Sequence, residues 1–410
     1  MSAAGALPLA GSVSSRLRSV GRVDAAALSL VGAVFITHLS AVVLAYLLAQ
    51  EYPAKVLHAG PAFGGLALSA YLLANRLSQP VLGWVADRWG PRPVLVWGSA
   101  LSLGPIALAA RSPSAWAFLV ACVLLGATHG EVWPSSFALI ARRYRPELRG
   151  RLSAALDMTE FAGLGAGLAG GAYLIQQSGF GAGFWLAGAA MAAGVPLAML
   201  QPPGRAAGSG GAGTPNPAGL TGVLRRDVLL LLASTAAYNV GMYLLLPIMV
   251  PLAHRLHLSL ASLVLVALPG VVVAAAAILP AGWLADRYPR RRLLVAGLAL
   301  ATASLLALSL AGTPWVFGLL TFPLTMGFAM ALPTWDALML DVASPAGRAL
   351  AMGLGGTLSG LGGSAGAAVG GVLAGLPWGV SADFLLAGGV MAVATLAAWS
   401  IGRQGRERTE

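Results

Sequence analysis

Gly83-Trp84-Val85-Ala86-Asp87-Arg88-Trp89 returns 199 residues later as Gly282-Trp283-Leu284-Ala285-Asp286-Arg287-Tyr288. The same offset pairs Pro134 with Pro333, and Pro146-x-x-Arg149 with Pro345-x-x-Arg348. One offset shared by separate polar segments marks an internal duplication. Each copy of the charged stretch closes a long apolar run, and a run of about 20 mostly apolar residues is what a helix needs to cross a bilayer. Twelve such runs can be read: 26–50, 61–83, 93–110, 114–140, 151–176, 180–200, 228–252, 259–283, 293–312, 315–341, 348–375 and 381–401.

Composition agrees. Of 410 residues, 58% are hydrophobic and only 10% charged, and the mean hydropathy is +0.80. Soluble chains carry about 25% charged residues, so a soluble enzyme, a nucleic-acid binder and a disordered scaffold are excluded together. The net charge of +11 is therefore a matter of topology rather than of a nucleic-acid partner. With the N-terminus inside, every Lys and Arg falls on the cytoplasmic side except Lys55, Arg111, Arg255 and the in-span Arg76. The apolar run after the N-terminal arginines is too long for a cleavable signal peptide. The single cysteine, Cys122, lies in an apolar run, which leaves no disulfide framework and no metal cluster. The expected organisation is a cytoplasmic tail (1–25), a six-helix bundle (26–201), a Pro/Gly-rich cytoplasmic linker (202–227), a second bundle (228–402) and a cytoplasmic tail (403–410).

Gly83-x-x-x-Asp87-Arg88-x-Gly90-x-Arg92 resembles the signature loop of the major facilitator superfamily, and the second copy departs from it at Pro289. With twelve spans, two halves and a central linker, the resemblance covers essentially the whole chain. It implies an all-α membrane protein with twelve transmembrane helices in two pseudo-symmetric six-helix bundles, working by alternating access in the plasma membrane. Parallel six-helix repeats are themselves a transporter architecture. The resemblance further implies that Asp87 faces the start of span eleven near Arg348, where free backbone N–H groups favour a carboxylate, a contact that holds the cytoplasmic side closed in the outward-facing state and breaks when it opens. The gating set is then Gly83, Asp87, Arg88, Arg92, Gly282, Asp286, Arg287 and Arg348, with Arg88 and Arg92 anchoring the loop to acidic partners or lipid phosphates.

An ionisable residue inside a span costs about 2.5–3.5 kcal/mol on insertion scales and lines protein or a cavity. Spans three, six and nine carry none in their interiors, and span twelve has only Asp383, as befits outer helices. Spans one, two, four, five and ten carry His38, Arg76, His129, Glu131, Asp157, Glu160 and Asp336. At about 1.5 Å per residue, Arg76 lies about 16 Å above Asp87, and Glu131 about 16 Å above Arg142. Two readings of Arg76 stay open: counter-ion to an anionic substrate, or partner of Glu131 or Glu160. Asn75 and Gln79 flank it. Glu131, Glu160 and Asp157 are the proton-coupling candidates, because a carboxylate in a low-dielectric cavity can exchange protons near neutral pH. His38, His129, Tyr238, Asn239, Tyr243 and Asp336 complete the substrate-site candidates.

An ionisable first half facing an apolar, aromatic second half suits an amphiphile better than a sugar, which needs many fixed hydrogen-bond partners. No Gly-x-x-x-x-Gly-Lys-Ser/Thr loop is present, so ATP drive is not expected. The glycine-rich span five resembles that of antiporter members, but has Ala166-Gly167 where they have Gly-Pro. Close helix packing also explains those glycines. The expectation is a monomeric transporter without cofactor, not an enzyme, that exports a small amphiphilic compound against protons. Uptake of a small organic anion and a non-transporting receptor or scaffold are the alternatives.

Overall fold

Hydrocarbon offers no hydrogen-bond partner to a peptide group, so a chain this apolar satisfies its backbone within helices. The computed structural model describes residues 25–60, 62–144, 146–202, 224–343 and 348–402, and among them there is no strand. The side chains of Asp286 and Arg348 lie outside the described residues, as do the tails and the linker apart from their edges.

Twelve long helices follow in order. They are α1 (Ala25–Lys55), α2 (Phe63–Trp89), α3 (Pro91–Ala110), α4 (Ala115–Arg143), α5 (Pro146–Ser178) and α6 (Phe180–Met199) in the first half. The second half has α7 (Arg226–Leu244), α8 (Leu260–Arg287), α9 (Arg290–Leu308), α10 (Pro314–Val342), α11 (Arg348–Ala374) and α12 (Gly379–Trp399). Ten of them contain a stretch long and apolar enough to cross a membrane on composition alone. The exceptions, α2 and α5, have the length, at 27 and 33 residues. They fall short in apolarity because α2 carries Arg76, Asp87 and Arg88, and α5 carries Asp157 and Glu160. Helices of that kind need protein on their polar face, and these two lie at the boundary between the halves.

The packing repeats with the sequence. In the first half α1 rests on α5 and α6, α2 on α4, and α3 on α4 and α6; in the second, α7 rests on α11 and α12, α8 on α10, and α9 on α10 and α12. The halves meet along α2–α11 and α5–α8. Glycines set the tightest of these contacts. Gly163 and Gly167 of α5 face the carbonyls of Phe35 and Leu39 on α1. Their counterparts Gly362 and Gly366, with Gly370, face those of Ala236, Val240 and Leu244 on α7. Close packing therefore accounts for these glycines. Gly126 and Gly130 do the same for α4, bringing it against Tyr71 and Asn75 of α2.

Irregularities repeat as well. The turns before α2 and α8 place His58 and His257, again 199 residues apart, at φ 53° and 55°. Helix α1 widens to a π-helical turn at Val43–Leu48, and α7 ends at a break over 245–248 followed by a short helix, Met249–Arg255. The loop copies differ for a backbone reason. Gly90 sits at φ 94°, a region closed to proline, and Pro289 accordingly sits at φ −57°.

Contacts between the halves concentrate at the end of the bundle away from the Asp87 loop. Gly65 approaches the backbone of Gly371, the Ser69 and Ser364 hydroxyls lie 2.8 Å apart, Ser364 Oγ donates to the Ser69 carbonyl at 3.0 Å, and Ser259 donates to Gln176 at 3.1 Å. Interhelical hydrogen bonds in membranes average only about 0.6 kcal/mol, so these polar links form a weak seam.

The glycine contacts within each half are less forgiving. Replacing Gly366 by Leu drives a side chain into the Val240 carbonyl and should cost about 1–3 kcal/mol. Gly170→Leu meets open space and should cost far less. Thermal unfolding of the two variants in detergent checks the difference.

Candidate functional site

Between the halves lies a cavity of about 320 Å³, walled by α1, α2, α5, α7, α9, α10 and α11. Helix α1 supplies His38, Val42 and Tyr46, spaced four apart and so on one face. The π-helical turn carries the last of these. Arg76 comes from α2 and Glu160 from α5, while Tyr238, Asn239 and Tyr243 come from α7, Trp335 and Asp336 from α10, and Ser359 from α11. Helix α9, expected to be wholly outer, reaches the wall with Leu294 and Leu298.

The His38 ring is fixed by its own helix. Its Nδ1 lies 3.0 Å from the Val34 carbonyl oxygen; a carbonyl only accepts, so Nδ1 carries the proton. Nε2 then faces Glu160 Oε1 at 3.8 Å. The glycine contacts, which match Phe35 with Ala236 and Leu39 with Val240, make Asn239 the spatial counterpart of His38 in α7, two residues off the 199 spacing; it likewise donates to a carbonyl four residues back, that of Thr235, at 2.9 Å.

Arg76 is differently placed. Among the described residues it has no ion pair and no hydrogen bond, so neither Glu131 nor Glu160 neutralises it. Its stem packs on Gly360 of α11, and the phenols of Tyr71 and Tyr243 lie within electrostatic reach. Asp157, one turn from Glu160, is outside the wall but electrostatically close to both Glu160 and Asp336.

The other candidates lie away from the wall. Asn75 accepts from Gln79 at 3.1 Å along α2. His129 Nδ1 meets the Tyr71 hydroxyl at 3.0 Å, and its ring stands edge-on to His38 at 5.0 Å. Glu131 is fully buried in the α3–α4 seam against Gly98, beside Ser99.

At the loop, Asp87 accepts from Arg142 of α4 at 3.0 Å, a partner in its own half. Arg92 donates to the Met199 carbonyl at 2.8 Å, and Gly83 lets α2 approach Pro134. Arg88 lies over Trp84 and Arg287 over Trp283, at 5.8 and 3.7 Å from the ring centroids. Gly282 has open space around it.

Sequence reasoning overlooked Tyr46, Ser234, Thr235, Trp335 and Ser359 in the wall. Two signals for them were present: Tyr46 lies eight residues beyond His38, and Ser359 lies 199 beyond Glu160.

A profile of the major facilitator superfamily matches residues 30–279 and 231–410. The chain belongs to the major facilitator superfamily. It is thus a multi-pass membrane transporter and not an enzyme. Among the superfamily's characterised proteins, the multidrug resistance protein MdtH of Klebsiella pneumoniae (strain 342) is 29% identical over 360 residues, covering 82% of this chain and 84% of that one. MdtH of Yersinia pestis (strain Pestoides F) is 33% identical over 112 residues, 27% of this chain and 28% of that one. Among solved structures, an inward-facing bacterial homologue of the human lysosomal transporter Spinster matches with a TM-score of 0.72 at 16% identity, covering 92% of this chain and 97% of that one. The human organic anion transporter MFSD10 matches with a TM-score of 0.64 at 19% identity, over 91% and 98%. At those identities the structural matches speak for the fold alone.

The cavity can be checked by thiol labelling after Cys122→Ala removes the only native cysteine. A membrane-impermeant reagent should modify Thr235→Cys and Ser359→Cys, which line the wall, and leave Ser99→Cys and Ser135→Cys, both buried, unmodified.

Proposed function

We propose that this transporter exports small amphiphilic cations in exchange for protons by alternating access, with the Asp87 loop on the cytoplasmic side of the plasma membrane. The observation that carries the reading is the charge balance of the cavity. Glu160 and Asp336 stand in the wall and Asp157 beside them, against one guanidinium, Arg76, in a lining that is otherwise apolar and aromatic. Such a wall offers a cation both counter-charge and ring faces. The His38–Glu160 pair supplies the coupling. An arriving cation competes with a proton for the Glu160 carboxylate. The name of the MdtH relatives supports efflux of foreign compounds, and the arginine distribution supports the orientation. Because the halves touch at the end away from the loop, the described arrangement corresponds to a cavity turned towards the cytoplasm.

A second reading, transport of a small organic anion, is favoured by the unpaired state of Arg76. The two separate in one assay. Purified protein in liposomes with a trapped pH dye is challenged with amphiphilic cations and with small carboxylates, beside Glu160→Gln and Arg76→Ala. Proton movement evoked by the cations and reduced at least tenfold in Glu160→Gln is expected. A response to carboxylates alone, lost in Arg76→Ala, would replace cation antiport by anion transport.

A further inference from the structure

Glu131 is not in the cavity, and its surroundings are unusual for an acid. It is completely buried, and neither carboxyl oxygen has a hydrogen-bond partner. Its side chain fills the space that a Cβ on Gly98 would need. The internal repeat shows what kind of slot this is. Gly98 corresponds to Gly297 and Glu131 to Met330 at the 199-residue offset, and a Cβ on Gly297 would likewise meet Met330. In the second half the helices close on backbone instead: a Cβ on Gly297 would first meet the Gly327 carbonyl at 2.8 Å and then the Met330 Cβ at 3.0 Å, whereas in the first half the Glu131 carboxyl end stands against Gly98.

The backbone differs at this point too. Pro134 and Pro333 are equivalent, yet α10 runs unbroken past Pro333. In α4 the helical pattern stops at His129 and resumes at Val132, leaving Gly130 and Glu131 as a turn. The proline alone therefore does not explain the break. Eleven residues below it, Arg142 holds Asp87 of the loop.

The geometry points to Glu131 as a proton-operated hinge. As a neutral acid it seats in the buried slot against Gly98 and holds the lower segment, Val132–Arg143, where Arg142 reaches Asp87; once ionised it must leave the slot, and the segment swings at Gly130. At about 1.5 Å per residue the lever is about 16 Å, so a bend of about 20° displaces Arg142 by about 6 Å, enough to part the pair. The titratable groups on the elements around it are His129 on α4, Tyr71 and Arg76 on α2, His38 on α1 and Glu160 on α5, while α3 presents Gly98 and Ser99. Of these, the Ser99 hydroxyl is the polar neighbour of the Glu131 carboxyl, and no ion pair joins Glu131 to a titratable group among the described residues. The inference deepens the proton-coupled reading by adding a proton site outside the cavity, and its test needs no substrate.

Spin labels at Ala141→Cys and Leu101→Cys in a Cys122→Ala background report the lower part of α4 against α3. Raising the pH should shift their distance by several Å in otherwise wild-type protein and leave it fixed in Glu131→Met, which copies the second half, and in Glu131→Gln. Infrared spectra should show a protonated-acid carbonyl band that both variants lose. A pH-dependent shift surviving in Glu131→Met would place the proton on a histidine and overturn the hinge. So would a wild-type distance that does not respond, or spectra without the Glu131 band. Substrate-evoked proton flux lost in Glu160→Gln together with an unresponsive hinge would sink this inference alone.

Discussion

Helices in hydrocarbon gain nothing by burying leucines against one another, because lipid is as apolar as a leucine. What holds this bundle is close approach of backbones, and close approach is possible only where there is no side chain. The glycine rows of α5 and α11 against α1 and α7 are that constraint, and the architecture follows from it. Each half is fixed as a unit by rows of contacts that tolerate no added carbon, while between the halves such contacts are fewer, at Gly65 with Gly371 and at Gly360 under Arg76, beside hydroxyls and the small apolar cluster of Leu47, Ala172 and Ala261. Rigidity within and looseness between are set by the same residue type, according to where it falls.

The same partition places the chemistry. A charge can be kept inside the membrane only where protein or a cavity shields it, and the two helices least able to cross on apolarity, α2 and α5, are the ones that lie between the halves. Their charges, with those of α1 and α10, accumulate around the cavity. At two positions equivalent to ionisable residues of the first half the second half offers an amide and a hydroxyl, while its own charge in the wall is Asp336. Asn239 stands where the first half has His38, and Ser359 where it has Glu160. The duplication has kept the geometry of the wall and divided its chemistry.

Most of the fold was legible because it depends on one-dimensional features: apolar runs, arginine asymmetry and a repeat of constant offset. The loop copies revealed the two halves, and the charged spans pointed to α1, α2, α5 and α10, although α4 has charges and no wall residue while α7, α9 and α11 line the wall without in-span charge. The partners of those charges were not legible. Depth along a helix can be counted from sequence, but the direction a side chain takes around it cannot be fixed without its neighbours. Arg76 and Glu131 share a depth and still do not meet, because one points into the cavity and the other into the α3–α4 seam. Similarly, Asp87 finds Arg142 on a helix of its own half, a contact that depends on how far α4 extends beyond its apolar core. The offset between copies was the underused signal, since applied residue by residue it would have added Ser359 to the wall and matched Glu131 with the uncharged Met330.

The π-helical turn at Val43–Leu48 and the break at 245–248 occupy corresponding places in the first helices of the two halves. A residue inserted into a membrane span cannot loop out, since its peptide groups would meet hydrocarbon, so it is absorbed as a widened or interrupted turn. Beyond each irregularity lies a short segment of seven residues, Ala49–Lys55 or Met249–Arg255. Each segment ends near a left-handed histidine that turns the chain into the next helix. The outermost part of each leading helix is thus mechanically separate from its shaft. It forms a compliant collar at the end where the halves touch, able to accommodate a change of angle between the bundles without disturbing the glycine rows below.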